Sequence, residues 1–238
     1  MNGRGGKRRF LLALCLTGTL IFTALGVWQI ERRSWKLDLI ERVNARVAAP
    51  PAPLPPRSSW ASLRPDDFEY RRVRLHGRFL HERETLVDAL TALGPGRWVI
   101  TPLATPQGIV LVNRGFVPPD QRTPQSRARG QVGGVVTVTG LLRPTEPNGR
   151  VLRPNRPTEN RWFSRDVAAI AASTGLDDAA PFFVDADATP NPGGLPVGGL
   201  TVISFRNTHL VYALTWFALA GLSIAGMVLL LRSPRVQS

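Results

Sequence analysis

Cysteine is almost missing from this chain. Cys15 is the single one and lies inside an apolar run, so the sequence holds no internal disulfide, no C-x-x-C and no thiolate metal cluster. That composition suits an oxidising compartment as well as a reducing one. Lysine is nearly missing too, present only as Lys7 and Lys36, so the formal charge of +13 is carried by arginine. No internal repeat, phosphate-binding glycine loop or local Ser-His-Asp motif is present, which removes the usual signatures of nucleotide and hydrolase chemistry. A basic balance suits nucleic acid, an anionic membrane surface or an acidic partner. The arginines are scattered rather than gathered on one aromatic-studded stretch, and two membrane-length apolar runs stand against nucleic acid.

Those runs dominate what is there. Leu210 to Leu231 is apolar and uncharged, long enough at a helical rise to cross the ~30 Å hydrocarbon core of a bilayer. Phe10 to Ile30 is a second such run, preceded by Arg4, Lys7, Arg8 and Arg9. The positive-inside rule keeps this basic tail in the cytoplasm, and Arg232 and Arg235 do the same for the other end. Arg32, Arg33 and Lys36 oppose that orientation, but they begin a long segment, and long segments translocate largely regardless of charge. Ala24-Leu25-Gly26 loosely resembles a signal-peptidase site. The run is long for a signal core and ends in the interfacial anchor Trp28, which favours an uncleaved span.

The 238 residues allow one or two domains. The expected organisation is a cytoplasmic tail at 1–9, a span at 10–30, a juxtamembrane helix and Pro-rich spacer at 31–56, an extracytoplasmic β-rich domain at 57–206, a second span at 207–231 and a tail at 232–238. Leu37, Ile40, Val43 and Val47 continue the first helix at helical spacing, and Ala48–Pro56 ends it as a polyproline stretch. In Tyr70–Phe79, Val73, Leu75, Gly77 and Phe79 alternate with Arg72, Arg74, His76 and Arg78, a half-buried strand with a basic outer face. Trp98–Leu103 and Ile109–Val117 flank Thr105-Pro106-Gln107-Gly108, a hairpin turn. Val132–Leu142, Phe182–Asp187 and Leu200–Phe205 read as further strands. One helix of about three turns is expected over Ser164–Gly175, with Ser164 as its cap and Asp166 in its first turn. The fold class is α+β: two transmembrane helices flanking a mainly antiparallel β domain, a partly closed barrel or a sandwich. Phe79 is a core candidate whose loss should cost roughly 3–5 kcal/mol.

His209 is the sharpest chemical signal. It stands at the first turn of the second span, and Tyr212 and Trp216 share its helix face. The arrangement suits either an interfacial belt or a metal-ligand site backed by aromatics. His76 and His81 have neither Cys nor Met nearby and read as solvated surface residues rather than a copper site. Asp185 and Asp187 share a strand face, but no nucleophile or metal set accompanies them. Arg114 suits either a partner contact or an internal ion pair.

Three blocks carry a family resemblance. The first is Leu25-Gly26-Val27-Trp28-Gln29 with Arg32 and Trp35-Lys36. The second is Val110-Leu111-Val112-Asn113-Arg114-Gly115-Phe116-Val117-Pro118, after Val99-Ile100-Thr101-Pro102-Leu103. The third is Asn207-Thr208-His209-Leu210 with Tyr212 and Leu214-Thr215-Trp216-Phe217. Tyr70-Arg71-Arg72-Val73, Gly77, Phe79 and Gly140 fall between them, with Phe116 where the family pattern has Trp. Together they resemble the surfeit-locus family of cytochrome c oxidase assembly proteins from about Gly26 to Phe217.

The resemblance implies a two-span protein of the bacterial inner membrane, with both termini cytoplasmic and the main domain periplasmic. It implies a non-enzymatic assembly factor that binds haem a transiently and helps deliver it to subunit I of a haem-copper oxidase. Membrane lipid and haem a synthase are further expected partners, and nucleic acid is not one. On that reading His209 supplies the imidazole ligand to the haem iron, Tyr212, Trp216 and Trp28 line the ring, and Arg206 answers the propionates, with Arg32 and Lys36 at the matching level. Two other classes are open: a membrane scaffold that holds an oxidase intermediate without touching haem, and a membrane-anchored hydrolase.

Overall fold

The computed structural model describes residues 3–205 and 207–232. In chain order its elements are α1 (Gly3–Ala48), α2 (Pro65–Phe68), β1 (Arg72–Phe79), β2 (Thr85–Thr91), β3 (Gly94–Thr105), β4 (Gly108–Val117), β5 (Val136–Pro144), α3 (Val167–Ser173), β6 (Ala179–Ala186) and α4 (His209–Arg232), with short 3-10 turns between some of them. They form two compact units: α1 up to Arg42 with α4, and the stretch Val43–Ile203.

In the first unit α1 and α4 run antiparallel. Arg8 Nη2 donates to the Leu231 carbonyl at one end, and His209 meets Gln29 at the other. Both helices are long and apolar enough to cross a membrane. Small residues let the two helices approach closely, as is common between helices in lipid. Ala213 and Ala220 are buried, the Phe217 ring packs over Gly26, and Gly226 faces Cys15.

In the second unit the sheet order is β1-β5-β6-β4-β3-β2, and a further β1–β3 pairing closes the first five into a barrel. The closure is short, Arg78↔Ala104 and Phe79↔Leu103. Gly77 permits it, because a Cβ there would run into the Ala104 carbonyl. All ladders are antiparallel except β4–β6. The barrel interior is filled by Val73 and Leu75 of β1, Leu103 of β3, Val110 and Val112 of β4, Val138 and Leu142 of β5, and Phe182 and Val184 of β6. Outside the barrel wall, α3 covers Leu111 and Phe183 with Val167, Ile170 and Ala171, joined by Trp162. Strands β4 and β6 are thus covered on both faces, which explains their continuous apolar runs.

The alternation expected of β1 is present, and Thr105 and Gly108 close the β3–β4 hairpin with the glycine at φ +132°. Other expectations need correction. Leu200–Phe205 forms no strand: after Val197 bridges to Phe116 the chain leaves a barrel whose β4 already has β3 and β6 on its two edges. The Pro-rich stretch is not a free spacer, since Ala52 pairs with β1 through the Arg72 carbonyl and the Arg74 N–H. Helix α3 is shorter than expected. Asp166, not Ser164, is its N-cap and accepts from the Ala169 N–H at 3.1 Å. Ser164 instead donates to the Glu146 carbonyl. Gly175, at φ +66°, ends the helix in a Schellman arrangement, with Leu176 N–H bonded to the Ala171 carbonyl and Gly175 N–H to that of Ala172. His81 is not a solvated strand residue. It lies in the turn after β1, half-buried, with Nε2 bonded to the Val132 carbonyl.

Phe79 lies in the core at 9% exposure, its ring 4.7 Å from the Arg114 guanidinium carbon. Phe79→Ala is expected to destabilise by about 3 kcal/mol, the lower end of the usual range because the ring sits at the edge of the interior. Urea unfolding of the full chain in detergent, followed by circular dichroism, measures it. Asp66→Ala, at an exposed helix position, should change little.

Candidate functional site

The site suggested by the sequence centres on His209, and the structure gives it a partner that sequence reasoning passed over. The His209 Nδ1 lies 2.8 Å from the Gln29 Oε1. A carboxamide oxygen can only accept, so Nδ1 is the donor, and in the neutral imidazole Nε2 carries the lone pair. Histidines that bind metals are held in just this way, with the other ring nitrogen donating to an oxygen that fixes tautomer and orientation. Gln29 is the only amide in the apolar run Phe10–Ile30, and that was its signal in the sequence.

Trp216, two turns further along α4, stacks on Phe22 of α1 with ring centroids 5.8 Å apart and planes at 20°. His209 and Trp216 therefore both turn toward α1. Tyr212 and Trp28 do not join this contact; they are 54% and 53% exposed. Arg206 lies outside the described residues. Arg32 places its guanidinium carbon 4.2 Å from the Trp35 ring centroid, and the Lys36 Nζ is 5.1 Å from that of Phe205. A lone imidazole with a free Nε2 fits an iron that brings its own equatorial nitrogens, as haem does.

The barrel unit holds a separate set of charges. Asp185 is 3% exposed, and its Oδ1 accepts from Asn113 Nδ2 at 2.7 Å and Arg165 Nη1 at 2.9 Å. Its Oδ2 lies 3.6 Å from Arg143 Nη1. Arg165 also grips Glu146 through its backbone N–H, Nε and Nη2. Burial pushes the Glu146 carboxyl up, but Arg165 overrides it and holds the group below the ordinary glutamate range. Burial likewise pushes the Arg165 guanidinium down, and Asp185 and Glu146 overcome this and raise it. Asn113, Arg143, Arg165 and Asp185 line a cavity of about 390 Å³ together with Leu90, Trp98 and Leu200. Two guanidiniums, Arg143 and Arg165, meet three carboxylates, Asp185, Glu146 and, 3.6 Å from Arg143 Nη2, Glu69, so both cations are answered within the fold. Asp187 is not a partner of Asp185 in acid–base work. It lies beyond the end of β6, and its Oδ1 accepts from the Thr189 N–H and hydroxyl.

Arg114 forms no ion pair among the described residues. A β-bulge shifts the β3–β4 register between Val99 and Ile100, pairing Val99 with Gly115 and Ile100 with Asn113, so Arg114 is the extra residue. Gly115, at φ +130°, supplies the backbone conformation the bulge needs. The side chain turns inward to 2% exposure, and burial pushes its guanidinium down to about 10, with Glu84 opposing the shift and Arg127 adding to it.

Comparison with known proteins agrees with the motifs. The pattern that defines the SURF1 family matches residues 16–221. Mouse Surfeit locus protein 1 is 40% identical over 212 residues, covering 82% of this chain and 67% of that protein. The human protein of the same name is 38% identical over 214 residues, covering 82% and 69%. A SURF1-like protein of Monosiga brevicollis is 38% identical over 244 residues, covering 96% and 89%. With matches of this extent running through both apolar helices and the barrel, the chain belongs to the SURF1 family, the surfeit-locus family of cytochrome oxidase assembly factors, which is not a known class of enzyme.

Proposed function

We propose that this protein is a non-enzymatic cytochrome c oxidase assembly factor that holds haem a transiently at His209 and passes it to subunit I. The observation that carries the proposal is the Gln29–His209 hydrogen bond at 2.8 Å, which keeps an imidazole lone pair available at the end of a membrane-length helix. Haem a is the cargo; its iron would take the His209 Nε2. Trp216, braced by Phe22, supplies a flat apolar surface beside that ligand, and Tyr212 and Trp28 are the further aromatics at this level. Arg32 and Lys36 are the described cations on hand for propionates, and Arg206 is assigned the same part on sequence grounds. A ligand set with one protein imidazole suits hand-over, since one bond to iron must break for the cargo to leave.

The setting proposed is the bacterial inner membrane, with the barrel domain in the periplasm and lipid, subunit I and haem a synthase as partners. The antiparallel pairing of α1 and α4 supports two crossings that return the chain to its starting side. Reporter fusions check this: a fusion at Pro51 should report the periplasm and one after Ser238 the cytoplasm. Both reporters on one side would overturn the topology, as would mature protein beginning near Val27. The haem proposal is tested by purifying the protein from a host that makes haem a. A bound pigment with an absorption band of ligated haem is expected. Colourless protein that still restores oxidase assembly would select the scaffold function instead.

A further inference from the structure

The connection between β5 and α3 holds two aliphatic side chains out in water. Arg150 and Arg153 exchange both backbone N–H···O bonds at 2.9 Å and close a tight turn. The tip residues are Val151, 90% exposed, and Leu152, 96% exposed. Leu152 stands at φ +62°, a left-handed position that glycine or asparagine ordinarily fills. At such exposure the fold gains nothing from either side chain. A bulky residue held in a strained conformation and kept in solvent points to a use outside the fold.

Five guanidiniums stand around this turn. Arg97 and Arg153 share Asp88, at 2.8 and 3.8 Å, and Arg156 and Arg161 share Glu159, at 3.4 and 3.6 Å. Arg150 donates from Nη2 to the Asp88 carbonyl at 3.2 Å. Two carboxylates thus answer five cations. The side chains of Arg153, Arg156 and Arg161 are more than half exposed, and with Leu152 and Phe163 they line an open cavity of about 350 Å³. A basic groove alone suits an acidic peptide as well as lipid. An aliphatic tip ringed by exposed arginines favours lipid, because the tip can enter the acyl boundary while the guanidiniums stay level with the phosphates.

The turn also lies on the side of the barrel from which the chain leaves for α4. Asp88, held by Arg150 and Arg153, is two residues before Leu90. Leu90 shares a cavity wall with Leu200 and Val202, and α4 begins seven residues after Val202. Leu90 and Val202 are themselves 76% and 81% exposed. We propose that the Arg150–Arg153 turn docks on the anionic phospholipid surface of the protein's own membrane, with Val151 and Leu152 in the acyl boundary and Arg153, Arg156 and Arg161 on lipid phosphates. This rests on the reading of α1 and α4 as membrane spans.

The test uses the full chain with Cys15→Ser and an environment-sensitive fluorophore on Val151→Cys, reconstituted into vesicles. With about a third phosphatidylglycerol in phosphatidylcholine, emission should shift to the blue and be quenched by nitroxide-bearing lipid. In pure phosphatidylcholine both effects should be much smaller. The same fluorophore on Pro106→Cys, in the turn at the other end of β3, should stay wet in both. Arg153→Gln with Arg156→Gln should lower the immersed fraction about tenfold or more, the loss expected for two arginines near an anionic surface. Leu152→Gly relieves the strained backbone and removes the tip, so the fold should be at least as stable in urea while the fluorophore turns wet. Chain stripped from the vesicles by an alkaline wash overturns the spans and the docking with them. Chain retained with a wet Val151→Cys fluorophore in anionic vesicles overturns the docking alone. A fluorophore that turns dry only in membranes holding subunit I assigns the turn to a protein partner and overturns the lipid proposal.

Discussion

His209→Ala protein, purified from a host that makes haem a, should lose the pigment or carry it weakly with a displaced Soret band. The substitution removes the imidazole and leaves the Phe22–Trp216 stack in place, so apolar affinity for the ring survives without the bond to iron. Gln29→Leu should do less but act through the same atom. It removes the oxygen that holds the proton on Nδ1, and losing such a supporting partner typically costs ~10- to 100-fold in metal affinity. Gln29→Glu keeps an acceptor at that position and should restore binding. Trp216→Ala should weaken binding more than Tyr212→Phe, which keeps its ring and starts from an exposed position. His76→Ala and His81→Ala should leave the spectrum unchanged. In cells, His209→Ala should lower oxidase activity through poor haem loading of subunit I while copper in the external subunit is retained. Unchanged pigment and spectrum in His209→Ala protein would refute the ligand assignment and favour the scaffold function.

Asp185→Leu should be among the most destabilising single changes in the barrel. It takes the acceptor from Asn113 Nδ2 and Arg165 Nη1 and the nearby countercharge from Arg143. Breaking a buried pair by removing one partner costs about 3–5 kcal/mol, because a charge is left behind without compensation. The upper end is expected here, since three groups lose the same carboxylate. Asp187→Ala, two residues away but partly exposed, should cost under about 1 kcal/mol. Urea unfolding of the full chain in detergent measures both. A loss in Asp185→Leu no larger than that in Asp187→Ala would show the network to be energetically idle.

The same network sets the acid limb of stability. Glu146 has its pKa lowered in the folded chain, so the unfolded chain binds its proton first as pH falls. Its contribution is fully present above the ordinary glutamate pKa and drains away as pH drops through the folded value. Glu146→Gln should flatten stability against pH in that acidic window and nowhere above it. Arg165 has its pKa raised, and its contribution, present at lower pH, is lost only above the ordinary arginine range.

Periodicity alone located the elements whose partners are generic. The two spans are legible because a bilayer asks only for length and apolarity, and β1 because one of its faces is wet, so that Val73, Leu75, Gly77 and Phe79 alternate with charged neighbours. The family blocks are legible because their motifs are written in consecutive residues. Strand β2 escaped because its buried positions, Thr85, Val87 and Ala89, include little that a composition scan weighs as core. Leu200–Phe205 looked like a strand because alternation reports the pattern and not whether a sheet edge remains to pair with. What only the tertiary structure decided is which distant residues meet. Gln29 and His209 are 180 positions apart, Asn113 and Asp185 72. Arg114 is buried because a bulge turned it inward, and an unpaired ladder position leaves no mark on a hydropathy pattern. The sequence by itself determined two membrane-length helices, the β class of the domain between them and the family. The closure of the barrel, the proton on His209 Nδ1 and the burial of Arg114 were decided by contacts between segments far apart in the chain, where local propensity and period carry no information.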